Sequence, residues 1–205
     1  MHYNKAIRLG NLATSEIEIR DILKAWAAIS IAFAIALSSG LSDFYAKFII
    51  ASLTVGIGFL LHELGHKAVA QRYGCFAEFR SFDSMLLLAI AMSFFGFIFA
   101  APGAVMISGR VSGARNGRIS AAGPAVNLAL ALIFLLLAIM QLPGLLMEIA
   151  YYGFVINSWL ALFNMIPFWL FDGYKVLKWS KAAYGIIVAA AFGLMLLRNF
   201  LPLPR

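Results

Sequence analysis

Six apolar runs, at about 25–42, 48–66, 85–107, 119–142, 145–171 and 182–197, alternate with short polar stretches along the chain. A helix needs about 20 mostly apolar residues to cross the hydrocarbon of a bilayer, so each run is a candidate span. Ahead of the first run, Ile7, Leu9, Leu12, Ile17, Ile19, Ile22 and Leu23 are scattered among charges. That pattern predicts an amphipathic segment over 1–24, lying on a surface, rather than a cleavable leader. Residues 25–201 then read as one membrane-embedded domain.

The third run breaks the helical pattern. It holds Gly96 and Ala100-Ala101-Pro102-Gly103, and it ends in the β-favouring Val105-Met106-Ile107. Pro and Gly so placed stop a helix. Broken backbone at membrane depth survives only where protein or a watery cavity covers it.

Charge placement points the same way. If every run spans, the clusters Lys67/Arg72/Arg80 and Arg110/Arg115/Arg118 fall on opposite sides. If 85–107 enters and leaves on one face, the Lys and Arg alternate between sides as 4, 1, 6, 0, 3 and 2. The second pattern puts the positive excess on one side throughout, as cytoplasmic loops require. The expectation is therefore an all-α polytopic membrane protein. It has about five transmembrane helices plus a re-entrant or β-hairpin element, and six spans are the alternative. It would be a multi-pass protein of the cell membrane with its N-terminus in the cytoplasm.

Composition agrees, at 63% hydrophobic and only 12% charged residues in 205. Soluble domains run about 45–50% apolar and about 25% charged. The net charge of +7 is spread between the apolar runs rather than gathered in a patch, which argues against a nucleic-acid partner. Cys75 stands alone, so neither a disulfide framework nor a Cys-based zinc site is expected.

The second run ends His62-Glu63-Leu64-Gly65-His66. On a helix His62 and His66 lie one turn apart on one face, where both imidazoles reach one ion. Glu63 is then placed as general base for an attacking water. With three His and five Glu in the chain, such a motif arises by chance only about 0.001 times. Two His and a Glu at the end of an apolar helix are also expensive in a membrane unless they serve a function.

A catalytic zinc site wants a third protein ligand. His2 lies in the polar N-terminal segment, whereas Asp172 directly follows the run 145–171. In the five-span topology His66 and Asp172 share one membrane side; with six spans they cannot meet. Pro167 removes a helical hydrogen bond and restricts Ile166, so the helix should break before the aspartate and let it turn inward. Asn127, within Gly123-Pro124-Ala125-Val126-Asn127, is an amide deep in an apolar run and needs partners. It could bond a neighbouring helix, or it could orient substrate or an oxyanion.

Together, His62-Glu63-Leu64-Gly65-His66, Gly123-Pro124-x-x-Asn127 and Asn164-x-x-Pro167-x4-Asp172-Gly173 resemble the site-2 protease family of intramembrane metalloproteases. The likeness covers residues 48–175. It implies one zinc ion per chain held by His62, His66 and Asp172, with Glu63 as base and membrane-protein segments as substrates. Asn127 and Asn164 are the candidates for holding substrate or an oxyanion. Leu170 and Tyr174 depart from the family pattern, which often has proline and glycine there. The rival readings are a membrane metal transporter or metal-binding protein, a proteolytically silent scaffold, and a zinc hydrolase acting on lipid-linked substrates. No internal repeat supports transport.

Overall fold

The computed structural model describes residues 7–9, 12–98 and 102–201. A short hairpin of β1 (Ile7–Leu9) and β2 (Leu12–Thr14) leads into α1 (Glu16–Leu37). Next come α2 (Phe44–Ala51) and, after a π-helical turn over Ser52–Gly56, α3 (Ile57–Arg72). These three pieces form one continuous helix of 29 residues, about 43 Å at the α-helical rise, ample for a bilayer. The indole N–H of Trp26 on α1 donates to the Ser52 carbonyl in the π turn at 3.1 Å, satisfying backbone where the ladder is irregular.

Of the expected re-entrant or β-hairpin element, the strand pairing is present. Strand β3 (Phe76–Ser81) is followed by α4 (Asp83–Ser93), and the chain comes back as β4 (Gly103–Ser108). β4 pairs antiparallel with β3, Ser81 opposite Gly103. The segment between the strands therefore returns to its point of departure. At 11 residues, α4 is also too short to span. The chain then runs through α5 (Gly113–Ile139), α6 (Leu145–Asn164), the short α7 (Asp172–Trp179) and α8 (Lys181–Leu197).

Among the described residues, four helices are long and apolar enough to cross a membrane: Phe44–Arg72, Gly113–Ile139, Leu145–Asn164 and Lys181–Phe200. The fifth expected span, α1, has the length but carries Glu16, Glu18, Arg20, Asp21 and Lys24 in its first turns. Its apolar half begins only at Ala25. The chain is an all-α polytopic membrane protein with a small two-stranded sheet beside its second long helix.

Residues 1–6, 10 and 11 of the expected amphipathic segment lie outside the described residues. Residues 16–24 form the first turns of α1, with Glu16, Ile19, Arg20 and Leu23 exposed and Glu18 fully buried. Its carboxylate is held by Lys67 of α3, by the Thr14 hydroxyl at 2.7 Å and by the Phe79 N–H at 2.9 Å. Asp21 accepts the Ser81 N–H at 3.4 Å. Phe79 and Ser81 point these N–H groups away from β4, so α1 carboxylates close the outer edge of β3. Burial of these charges is tolerable because each is paired and bonded.

Packing inside the bundle uses small residues, as expected where lipid gives no hydrophobic drive between helices. A Cβ on Gly65 would come within 3.2 Å of the Ala122 carbonyl of α5, and one on Gly58 within 2.5 Å of Asn157 on α6. Helices α3, α5 and α6 are thereby drawn close around the part of α3 where the polar residues lie.

Candidate metal centre

The helical period puts His62 and His66 on the buried face of α3, toward α5. Asp172 arrives from the other side. Helix α6 ends at Asn164, residues 165–171 form a tight loop through Pro167, and Asp172 opens α7. The loop is closed by Phe168 N–H to the Ile166 carbonyl and Phe171 N–H to the Phe168 carbonyl, at 2.8 and 2.9 Å. The Phe171 ring packs edge-on against Phe163, which stacks on Trp159, so an aromatic ladder on α6 steadies the residue before the aspartate.

Three ligand atoms converge. His62 Nε2 and His66 Nε2 lie 3.0 Å apart, and Asp172 Oδ2 sits 3.3 Å and 3.0 Å from them. A tetrahedral zinc ion with ligands at about 2.0–2.1 Å holds its donors about 3.3 Å apart.

The other nitrogens decide what the site can hold. His66 Nδ1 meets the Ile119 carbonyl at 2.7 Å, an acceptor only. His62 Nδ1 meets Asn127 Oδ1 at 2.6 Å. The orientation of that amide is fixed, because Asn127 Nδ2 donates to the Gly58 carbonyl at 3.1 Å and to Asn157 Oδ1 at 3.0 Å. Asn157 in turn donates to the Gly153 carbonyl at 2.9 Å. Each imidazole therefore donates from Nδ1 and, when neutral, turns a lone pair on Nε2 toward the other and toward a carboxylate. Such an arrangement is stable only with positive charge among the three, supplied by a metal ion or by a proton on an Nε2. The donor set, two imidazoles and a carboxylate, suits zinc.

Helix α5 supplies both the room and the partners. A Cβ on Gly123 would lie 2.5 Å from both Nε2 atoms, so only glycine leaves space for an ion. Pro124 is one residue on. It has no N–H for the Ser120 carbonyl, and its ring disturbs that turn; the neighbouring Ile119 carbonyl is the one that His66 reaches.

Glu63 lies next to the ligand set, and its Oε2 accepts the Val105 N–H of β4 at 3.1 Å. Asn127 is fully buried and spends its oxygen on His62, so it stands behind the ligand rather than facing a substrate. Its partners lie on the neighbouring helices α3 and α6. Asn164 donates its amide to the Leu160 carbonyl of its own helix at 2.9 Å. Two groups escaped the sequence reading: Asn157 and the Ile119 carbonyl. Asn157 carried a signal, being an amide inside an apolar run; a backbone carbonyl carried none.

Comparison with known proteins bears on most of the chain. It is 44% identical over 156 residues to the "Putative zinc metalloprotease MJ0611" of Methanocaldococcus jannaschii, an alignment covering 75% of this chain and 82% of the relative. It is 30% identical over 142 residues, 65% of its length, to the "Putative zinc metalloprotease Rip3" of Mycobacterium tuberculosis, of which it spans 32%. No family model and no solved structure matches it. With this likeness over most of its length, and with His62, His66 and Asp172 gathered at one point, the chain belongs to the site-2 protease family of zinc metalloproteases.

Proposed function

We propose that this protein is a membrane-embedded zinc endopeptidase that cuts peptide bonds in or beside the transmembrane segments of other membrane proteins. One observation carries the reading: His62, His66 and Asp172 present three converging donor atoms, with His62, Glu63 and His66 on a helix able to cross a bilayer. His62, His66 and Asp172 would hold one zinc ion per chain. When bound, zinc polarises a scissile carbonyl and makes water a nucleophile near neutral pH.

The remaining steps belong to the chain. Glu63 takes a proton from the attacking water and returns it to the leaving amine. Asn127 and the Ile119 carbonyl keep both imidazoles in the ligand tautomer. A helical substrate hides its carbonyls in i→i−4 bonds, so the target must unwind first. The outer edge of β4, whose Val105 N–H points at Glu63, is where an unwound strand can pair with backbone beside the base. The closed outer edge of β3 leaves β4 as the edge for that role.

In this reading residues 25–201 act as one domain in the cell membrane, with N-terminus and site toward the cytoplasm. The test is paired. Wild type and Glu63→Gln are co-expressed with single-span candidate substrates, and cleavage is followed by gel while zinc is measured on the purified proteins. Glutamine keeps the shape but takes no proton, so cleavage should fall by about 10²–10⁴-fold with zinc retained. Undiminished cleavage by Glu63→Gln would refute the base. Loss of zinc together with cleavage would make Glu63 a ligand instead.

A further inference from the structure

Five of the described cations have a carboxylate within reach. Lys24 holds Asp21 and Asp83, Lys47 holds Glu148, Lys67 holds Glu18, Arg80 holds Glu78, and Lys175 lies 3.9 Å from Asp172. A different pattern holds where α3 ends, α5 begins and α7 closes. Arg72, Arg110, Arg115, Arg118, Lys178 and Lys181 are all exposed there, and none makes an ion pair among the described residues. Elsewhere only Arg20 and Arg198, among the described cations, lack one as well.

These side chains are not loose. Arg115 lies over the Tyr73 ring at 5.3 Å, Arg118 over the Trp179 ring at 5.7 Å, and Lys178 over the Tyr174 ring at 4.3 Å. Arg118 Nη1 also reaches the Tyr73 hydroxyl at 3.4 Å. Tyr73, Arg115, Arg118 and Trp179 thus form a continuous seam across α3, α5 and α7. Rings hold the cations without neutralising them. Two of the cations also stand in the first two turns of α5, at the positive end of its dipole, where the helix alone disfavours them. Charge of one sign, fixed in place and left unanswered by the protein, calls for an anion from outside.

Position says which anion. The seam lies at the ends of helices long and apolar enough to cross a membrane, and Trp and Tyr collect at the headgroup level of such helices. Basic clusters next to such helix ends attract anionic lipids. The seam also matters to the site. Trp179 packs so closely on Gly117 that a Cβ there would fall 2.1 Å from it, and this contact docks α7, whose first residue is Asp172, onto α5.

We propose that this seam binds the phosphate headgroups of anionic phospholipids, which clamp α7 to α5 and so steady Asp172 in the metal centre. The experiment compares the full-length protein in vesicles of phosphatidylcholine alone and of phosphatidylcholine with phosphatidylglycerol. Phosphatidylglycerol carried through purification is counted by native mass spectrometry, and zinc release to a chelator is timed. Wild type should retain phosphatidylglycerol and lose zinc several-fold more slowly in its presence. Arg115→Gln/Arg118→Gln should weaken retention by roughly fivefold for each arginine and abolish the difference in zinc release. Lys178→Gln alone should give a smaller loss in the same direction, and Arg20→Gln, on α1, should give none. Retention unchanged in the double variant, no effect of phosphatidylglycerol on the wild type, or equal slowing by inorganic phosphate in neutral vesicles would each overturn the proposal. Neither readout depends on cleavage.

Discussion

His66 and Lys67 are neighbours on α3, both buried, yet they serve opposite kinds of polar cluster. Lys67, 2% exposed, finds in Glu18 a carboxylate that is itself bonded by Thr14 and the Phe79 N–H. Charge and hydrogen bonds close on themselves. The face bearing His62 and His66 does not close: its Nδ1 atoms are satisfied, while its Nε2 atoms and Asp172 turn lone pairs on one another. A buried cluster complete in itself holds helices together. One with an excess of lone pairs is built for something absent from the chain. The difference lies in the donor count, not in burial, which is the same for both.

Removing a group from each cluster should separate them. His62→Ala or His66→Ala is expected to cost essentially all zinc in elemental analysis of the purified protein, with the helices still folded. Asp172→Asn should weaken binding less completely, because the amide oxygen remains a neutral donor. Zinc retained at full occupancy in either histidine variant would end the ligand assignment.

The closed cluster should answer in stability and not in zinc. Glu18→Leu leaves Lys67 charged and buried without a partner, which typically costs about 3–5 kcal/mol. The double variant Glu18→Leu/Lys67→Met removes both charges and should recover most of that loss. Thermal unfolding in detergent measures both, and zinc content per folded molecule should be unchanged in both. If the double variant is no better than the single, the pair does more than neutralise itself.

How far these clusters are legible in the sequence depends on the distance along it. The His62–Glu63–His66 spacing is local, so helical periodicity alone places it. Asp172 lies over a hundred residues away, but charge alternation puts it on the same side as His66, and Pro167 supplies the break. The return of 85–107 is visible in Pro102, Gly103 and the same charge pattern, and the β3–β4 ladder provides it. The Glu18–Lys67 pair joins two segments 49 residues apart with no periodic link. Scattered Ile and Leu among charges therefore read as a surface helix, when two of the acids in that stretch face inward. Asn127 plainly needs partners, but which face they lie on is a property of three packed helices.

The open cluster has layers, and its second layer gives a graded test. Asn127→Leu removes the acceptor that keeps the proton on His62 Nδ1. Loss of such a partner typically lowers metal affinity about 10–100-fold. Chelator competition should report that drop, while His66, held by the Ile119 carbonyl, keeps part of the site. Gly123→Ala would act at the same level by a different route, since its methyl would press on both Nε2 atoms.

Asn157→Leu should have the smallest effect, and its size discriminates most finely. Asn157 never touches an imidazole; it only accepts one of the two N–H bonds that orient the Asn127 amide. With it gone, Asn127 Nδ2 still has the Gly58 carbonyl, so the amide keeps its orientation for most of the time. A turned amide would point N–H at His62 Nδ1 and force the tautomer that cannot bind metal. Competition between these two orientations is set by about one hydrogen bond, worth roughly 0.5–1.5 kcal/mol, so zinc affinity should fall about two- to tenfold. Ordering by distance from the ion then follows: histidine first, Asn127 next, Asn157 last. The same measurement on Asn127→Leu/Asn157→Leu should match Asn127→Leu alone, because Asn157 acts only through the amide. If Asn157→Leu lowers affinity as much as Asn127→Leu, or the double variant loses the sum of both, Asn157 reaches the metal centre by another route and the relay from α6 to His62 is wrong.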